Sequence, residues 1–216
     1  MAESSLNSSV DQTYTEIVVV RHGETYWNAE RKIQGHIDVE LNDAGRQQAV
    51  RVCVFYFFNS FVFLILLETA QIIAAKCLVY QEASKIRPIA YKAFLSNRTD
   101  VDIPGGGESL DKLYDRCTSA LQRIGDKHKG ERVVVVTHGG GGLFHYMVST
   151  ALGVIRSLYE RARPKARKVD KILTTSVSVF RLFDGDKWRI HVWGDMTHLD
   201  QTGFLKSGFG GDRTSG

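Results

Sequence analysis

Two segments of this chain share one pattern, in which a run of β-branched apolar residues ends directly in His-Gly. The first is residues 15–20 (TEIVVV), followed by Arg21, His22 and Gly23, and the second is Arg132–Thr137 (RVVVVT), followed by His138. Such short apolar runs predict strands that are buried on both faces, as in a parallel sheet. Because ligands of open α/β sheets bind beyond the carboxyl ends of the strands, both imidazoles are expected at a binding crevice.

Helical patterns alternate with these strands. Residues 41–52 favour a helix that Asn42 or Asp43 caps, and Ser109 is placed to cap a second helix with an apolar stripe through residue 124. Residues 175–183 and 187–193 alternate around Asp-Gly-Asp, which predicts a hairpin. We therefore expect an α/β fold: a three-layer sandwich with a mostly parallel central sheet and helices on both faces.

The size of the chain fits one domain, and its charge excludes some functions. The 216 residues include 28 Lys and Arg against 24 Asp and Glu, and a net charge of +4 is too small for a dedicated nucleic-acid binder. The three scattered cysteines form no C-x-x-C pair, which excludes a disulfide framework or a Cys-rich zinc site. We expect a cytoplasmic protein with a flexible N-terminus (1–14), one domain (15–202) and a flexible tail (203–216), because residues 1–12 lack the apolar core of a secretory signal.

Residues 52–67 (VCVFYFFNSFVFLILL) form an almost uninterrupted apolar run. The run is shorter than the ~20 residues that span a bilayer, and soluble patterns continue on both sides, so we do not expect a membrane anchor. A buried strand or helix is one alternative. The interpretation that we favour is a segment foreign to the original protein, because Phe, Leu, Ile, Val, Tyr and Cys are the residues that uracil-rich intron codons encode. On that interpretation a strand around 52–67 is disrupted.

The residues around the first His-Gly are suited to phosphate chemistry. Arg21 offers a permanently charged planar fork to phosphate oxygens, and Asn28 can donate an amide hydrogen bond to the same anion. A neutral His22 can attack phosphorus, while His138 stabilises the transferring phosphoryl group, and no metal or other cofactor is required. The remaining histidines are interpreted as ordinary surface or core residues: His36, His128, His145, His191 and His198.

The motifs RHGETYWN (21–28) and THGG (137–140) resemble those of the histidine phosphatase, or phosphoglycerate mutase-like, superfamily. Further segments of similarity lie at 33–49, 68–70, 104–109 and 154–162. The resemblance implies that His22 is the phosphorylated nucleophile and that Arg21 and His138 bind the phosphoryl group. It also implies that Asn28 supports the phosphate site, and that Gln34 and Gly35 line the substrate pocket.

Within this superfamily the sequence is most similar to plant-type mutase-like proteins and metal-independent phosphoserine phosphatases. True mutases carry a long insertion that residues 78–107 are too few to hold, so the resemblance implies a phosphatase rather than a phosphoglycerate mutase. The expected partner is a small phosphorylated metabolite, with phosphoserine as one candidate, and no nucleic acid. Neither the natural phosphoester nor the oligomeric state follows from the sequence.

The chain departs from the family pattern at three places. Ile65 stands where the family has a second phosphate-binding Arg, and the element that carries the proton-donating Glu is missing between Cys77 and Leu78. Residues 141–153 are inserted between the second His-Gly and the helix at 154–162. We interpret these departures as altered splicing or a mispredicted gene model. Glu108 or Glu82 is the candidate substitute for the missing proton donor, and the alternative is a catalytically defective isoform that keeps only a phosphate-binding pocket.

Overall fold

A computed structural model describes residues 13–30, 32, 39–56, 64–67, 80–94, 96, 98–137, 175–185 and 187–200. Its core is a five-stranded sheet in the order β2-β3-β1-β4-β5. The strands are β1 (Tyr14–Arg21), β2 (Leu64–Leu67), β3 (Arg132–Thr137), β4 (Val177–Phe183) and β5 (Lys187–Asp195). The helices are α1 (Tyr26–Ala29), α2 (Asp43–Tyr56), α3 (Tyr80–Ile86), α4 (Pro88–Phe94) and α5 (Leu110–Lys127), and a 3₁₀ turn follows at Thr197–Leu199.

The sheet is mixed, which corrects the expectation of a mostly parallel sheet. β1 and β2 both run parallel to β3, with Arg21 and Leu67 in register with Thr137, so these three strands end at one edge. β4 runs antiparallel to β1, and β5 antiparallel to β4. The physical reason is the hairpin at Asp184 and Gly185, which the sequence predicted: it reverses the chain, and Gly185 adopts φ 73° there.

Apolar residues on the two faces of the sheet form two clusters, each with one helix against it. Alternation along β1 directs Ile17 and Val19 into the cluster that contains Leu121 of α5. Val18 and Val20 belong to the other cluster, which contains Val52 of α2. An α/β arrangement with helices packed on a sheet therefore agrees with the prediction.

The helix caps follow the sequence. The Ser109 hydroxyl accepts the Lys112 N–H at 3.2 Å at the start of α5, and Asn42 Oδ1 accepts the Gly45 N–H at 2.8 Å at the start of α2. Of the two residues that the sequence offered as the cap of α2, Asn42 makes the bond. These bonds satisfy N–H groups that have no partner inside the helix.

The apolar run contributes to two elements. Residues 52–56 form the last turns of α2, and within the stretch where we expected a disrupted strand, Leu64–Leu67 form a short edge strand along β3. Residues 57–63 lie outside the described part of the chain, as do the expected helix at 154–162 and the inserted segment 141–153. Among the described ranges, no helix is both long enough and apolar enough to cross a bilayer.

Ion pairs link three strands near the amino end of β1, the end far from Arg21. The carboxylate of Glu16 is almost fully buried and accepts hydrogen bonds from Arg132 of β3 at 2.5 Å and from Arg181 of β4 at 3.2 Å. Both arginines are in register with Glu16 on the neighbouring strands. The ion pairs therefore fix the alignment of β3, β1 and β4.

Candidate active site

The edge where β1 and β3 end brings together the first group of predicted site residues. Arg21 is the last residue of β1 and is 1% exposed, and His22 follows it at 9%. Thr137, the residue that precedes His138, is paired with Arg21 across the parallel ladder. The end of β1, where a binding crevice is expected, therefore carries two buried polar side chains.

His22 has a defined orientation. Its Nδ1 lies 2.6 Å from the carbonyl oxygen of Gly23. A carbonyl only accepts hydrogen bonds, so Nδ1 must carry the proton and donate it. In the neutral imidazole the lone pair then resides on Nε2.

Burial sets the electrostatics of Arg21. Desolvation lowers the pKa of its guanidinium to about 9, well below its usual value. The group is still protonated at neutral pH, but its charge is held at a cost because water is excluded from it. Because water is excluded, an anion bound against this guanidinium would interact with it strongly, as a phosphate-binding arginine requires.

Asn28 is held in place by a reciprocal capping box at the start of α1. Thr25 Oγ1 accepts the Asn28 N–H at 3.0 Å, and Asn28 Oδ1 accepts the Thr25 N–H at 3.1 Å. With its oxygen engaged, the side-chain amide of Asn28 has its NH₂ group left as a donor. This NH₂ group is the donor that the expected phosphate-binding role of Asn28 would use.

The segment after His22 is anchored to the start of α2. The backbone N–H of Glu24 donates to Gln48 Oε1 at 2.9 Å, and Asn42 N donates to the carbonyl of Glu24 at 3.0 Å. The Glu24 carboxylate accepts from Asn42 Nδ2 at 2.6 Å. The position of the segment that carries His22 therefore depends on a helix about twenty residues further along the chain.

Two glycines permit this close approach. A Cβ on Gly23 would overlap the carbonyl oxygen of Gly45, and a Cβ on Gly45 would overlap the carbonyl oxygen of Glu24. Both clashes are with backbone, which a rotamer change cannot relieve. Gly45 is thus required by the contact between α2 and the His22 segment, although glycine is a poor residue inside a helix.

Thr175 and Ser176, which directly precede β4, lie at the same edge of the sheet as Arg21. The Arg21 N–H donates to the carbonyl of Ser176 at 3.2 Å, and Ser176 is 2% exposed. Thr175, which is 1% exposed, has φ 59°. A β-branched residue with positive φ is strained by about 1–3 kcal/mol, and such strain is concentrated at functional sites.

Glu108, the expected substitute proton donor, is engaged with a charged partner. Its two carboxylate oxygens accept from Arg116, at 2.6 Å from Nη2 and 3.2 Å from Nε. A carboxylate that accepts through both oxygens has no proton to give. A donor role for Glu108 therefore requires this ion pair to open.

The structure describes only some of the predicted site residues. Arg21 ends β1, His22 follows it and Asn28 lies in α1, all three buried, whereas His138, Gln34 and Gly35 lie outside the described residues. Sequence reasoning missed the supporting set Asn42, Gly45 and Gln48 and the pair Thr175 and Ser176. A signal for the first set exists, because a spacing of three residues places its members on one side of a helix start.

Comparison with protein families gives a match over most of the chain. The family described as "Histidine phosphatase superfamily (branch 1)" matches residues 17–57 and 75–196. The match omits residues 58–74, which include most of the apolar run, and it extends through 141–153. The omitted stretch contains Ile65 and the strand β2, so neither is aligned with the family model.

Individual proteins give a consistent result. "Phosphoglycerate mutase-like protein 4" from Arabidopsis thaliana is 66% identical, covering 99% of this chain and 100% of its own, in an alignment of 243 positions. The "Metal-independent phosphoserine phosphatase" of the same plant is 40% identical and covers 94% of this chain and 91% of its own. A mutant phosphoserine phosphatase from Entamoeba histolytica, solved with phosphoserine, superposes with a TM-score of 0.68 at 20% identity, covering 86% of this chain and 99% of that one.

Proposed function

The chain belongs to the histidine phosphatase superfamily, and we propose that it hydrolyses phosphomonoesters of small metabolites through a phosphohistidine on His22. The observation that carries the proposal is the hydrogen bond from His22 Nδ1 to the Gly23 carbonyl, because it directs the lone pair to Nε2. The buried Arg21 beside it supports the choice of a phosphate group as the electrophile.

In the first step the lone pair of His22 Nε2 forms a bond to phosphorus while the bond from phosphorus to the ester oxygen breaks. The negative charge on the phosphoryl oxygens is stabilised by Arg21, by the amide of Asn28 and by His138. The leaving alkoxide takes a proton from a general acid, for which Glu108 is the candidate. Opening of the Glu108–Arg116 pair would accompany protonation of that carboxyl.

In the second step water attacks the phosphorus of the phosphohistidine and the N–P bond breaks. The carboxylate left by the first step accepts a proton from the water, which restores the acid and releases phosphate. His22 returns as a neutral imidazole with its proton still on Nδ1. The anchoring of the His22 segment by α2 supports both steps, because the imidazole must keep one position while its partner changes.

The test is phosphate release from a panel of phosphoesters in the presence of a chelator. The panel includes phosphoserine, because a 40% identical relative is a phosphoserine phosphatase, and a phosphoglycerate, because a 66% identical relative is named mutase-like. We expect turnover by the unmodified chain that disappears in His22→Ala. Equal release by both proteins would overturn the proposal, and transfer of phosphate between positions of the phosphoglycerate would indicate a mutase.

The role of Glu108 is tested separately. Glu108→Gln keeps the shape of the side chain and should lower kcat by about 10²- to 10⁴-fold if Glu108 is the general acid. Glu82, the other candidate donor, is exposed in the first turn of α3, and Glu82→Gln is measured in parallel. An unchanged kcat in Glu108→Gln would exclude Glu108.

One observation favours a second candidate function, a catalytically defective isoform that binds phosphate compounds. Ile65 lies in β2, paired with Val135, at the position where the family resemblance implies a second phosphate-binding arginine. Losing one hydrogen bond to a charged group weakens phosphate binding by about 1.5–3 kcal/mol. The two candidates separate in one experiment, because the defective isoform binds orthophosphate and releases none from any ester.

A further inference from the structure

The hydroxyl of Ser176 is a buried polar group that the proposed mechanism does not use. Ser176 is 2% exposed, and its Oγ makes no hydrogen bond within the part of the chain that the structure describes. A buried hydroxyl without a partner is destabilising, so such a group is uncommon unless a ligand completes it.

The register of β4 places this hydroxyl beside Arg21. Val20 pairs with Val177, and the next pair, Arg21 and Ser176, is joined by the bond from Arg21 N to the Ser176 carbonyl at 3.2 Å. Residues directly opposite in an antiparallel ladder have side chains on the same face, with Cβ atoms about 4.5–5.5 Å apart. The Ser176 side chain and the Arg21 side chain therefore lie on one face, at the edge where β1 ends.

Ser178, two residues further along β4, provides an internal comparison. It is also buried and, by alternation, lies on the same face as Ser176. Its Oγ accepts the Gly194 N–H at 3.0 Å, so its hydroxyl serves the β4–β5 hairpin. Ser176 lies beside Arg21, whereas Ser178 lies within the sheet. The hydroxyl of Ser178 is hydrogen-bonded to the protein, and that of Ser176 is not, among the described residues.

We propose that Ser176 is a phosphate-binding residue, whose hydroxyl donates a hydrogen bond to the anion held by Arg21. This inference rests on the proposed function, which places a phosphoryl group against Arg21 and His22. The hydroxyl adds a neutral donor to a guanidinium, and it approaches the anion from β4 rather than from the segment that carries His22. In a chain with Ile65 in place of a second arginine, such a donor partly compensates for the missing hydrogen bond.

The test is a calorimetric titration of the full chain with inorganic orthophosphate at constant ionic strength. We expect Ser176→Ala to raise Kd by about 10- to 100-fold, the loss that corresponds to a hydrogen bond to a charged group. Ser176→Cys keeps the volume with a much weaker donor and should also bind phosphate weakly. Ser178→Ala is the matched control: it should keep the Kd of the unmodified chain while lowering Tm.

Each other outcome overturns a defined part of the argument. An unchanged Kd in Ser176→Ala, with the unmodified chain binding phosphate, overturns the role of Ser176 and leaves the proposed function standing. Full affinity in Ser176→Cys together with loss in Ser176→Ala indicates a packing role, which also overturns it. No phosphate binding by the unmodified chain overturns the proposed function itself, and the inference with it.

Discussion

At the scale of single residues, the site contains a conflict between stability and binding. Arg21 is among the most deeply buried side chains of the described residues, and burial lowers its pKa to about 9. The same desolvation that destabilises the free protein strengthens any contact with an anion, because few water molecules compete for the charge. The residue that we expect to contribute most to phosphate affinity is thus one whose charged form burial disfavours.

This conflict predicts the behaviour of Arg21→Met, which keeps much of the side-chain volume without the charge. Without phosphate at pH 7, we expect the free energy of unfolding to equal that of the unmodified chain or exceed it, by up to about 4 kcal/mol. Phosphate affinity should be lost. Urea denaturation and phosphate titration measure the two effects, and a variant clearly less stable than the unmodified chain would contradict the argument.

The difference in the free energy of unfolding between Arg21→Met and the unmodified chain should depend on pH. Below pH 9 both the folded and the unfolded chain carry the Arg21 proton, so the cost of the buried charge is present in full. Above pH 9 the folded chain loses this proton while the unfolded chain, whose pKa is higher, keeps it, so the stability of the unmodified chain rises relative to that of the variant. Urea midpoints of the two proteins at pH 7 and pH 9.5 test this sign, and a gap that widens at pH 9.5 would refute it.

Gly45 tests the anchoring of the His22 segment. In an ordinary helix, Gly→Ala increases stability by about 1 kcal/mol. Here the added Cβ would overlap the Glu24 carbonyl, so we expect Gly45→Ala to destabilise the protein by about 1–3 kcal/mol and to reduce kcat by displacing His22. Thermal unfolding and turnover are measured together. Gln47→Ala, on the exposed side of the same helix, is the control and should alter neither quantity.

At the scale of secondary-structure elements, the two ends of β1 differ: one carries residues of the candidate site, and the other forms ion pairs between strands. Its carboxyl end carries Arg21 and leads into His22, whereas Glu16 near its amino end pairs with one arginine on each neighbouring strand. The apolar residues between them fill the two cores. The ladder pairs of these apolar residues continue up to the carboxyl end of β1, so the alignment at Arg21 does not depend on the ion pairs of Glu16 alone.

We therefore predict that Glu16→Gln affects folding and leaves the site intact. Removing a charged acceptor that two arginines share should lower the free energy of unfolding by about 1–3 kcal/mol, since both arginines remain partly exposed and recover some hydration. Phosphate affinity should not change. The control is Asp184→Asn, which breaks the exposed Lys129–Asp184 pair and should have an effect of at most about 1 kcal/mol. Equal losses of stability in the two variants would show that burial of Glu16 is unimportant.

At the scale of the whole molecule, the site draws on distant parts of the chain. Arg21 and His22 come from β1, the supporting Gln48 from α2, and Ser176 from the head of β4. These parts assemble only when the sheet and both packed helices are formed. Ligand binding at this site should therefore stabilise the entire fold rather than one loop.

The corresponding prediction is a rise in the stability of the unmodified chain with orthophosphate. At a concentration of 100 times Kd, mass action gives an increase of about 2.7 kcal/mol in the free energy of unfolding. Thermal unfolding with phosphate, compared with chloride at the same ionic strength, measures it. His22→Ala should keep much of the shift and Arg21→Met should lose it. A shift that is the same in Arg21→Met would place the anion elsewhere.

The sequence by itself determined the local features. The valine runs predicted the strands β1 and β3. Ser109 and Asn42 predicted the helix starts, and the Asp-Gly turn predicted the hairpin. These features depend on residues within a few positions of one another, where side-chain periodicity, capping and turn geometry act directly. The motif around His22 also indicated phosphate chemistry.

Only the tertiary structure decided what lies beside what. The antiparallel course of β4, the overlap that requires Gly45, and the position of Ser176 opposite Arg21 all arise from pairing between distant segments. Arg21 and Ser176 are more than 150 residues apart in the sequence, and no local pattern encodes which strands become neighbours or in which register. That choice belongs to the packing of the whole core, because a one-residue slip of β4 would turn Ser176 away from Arg21 and bring a valine to its place.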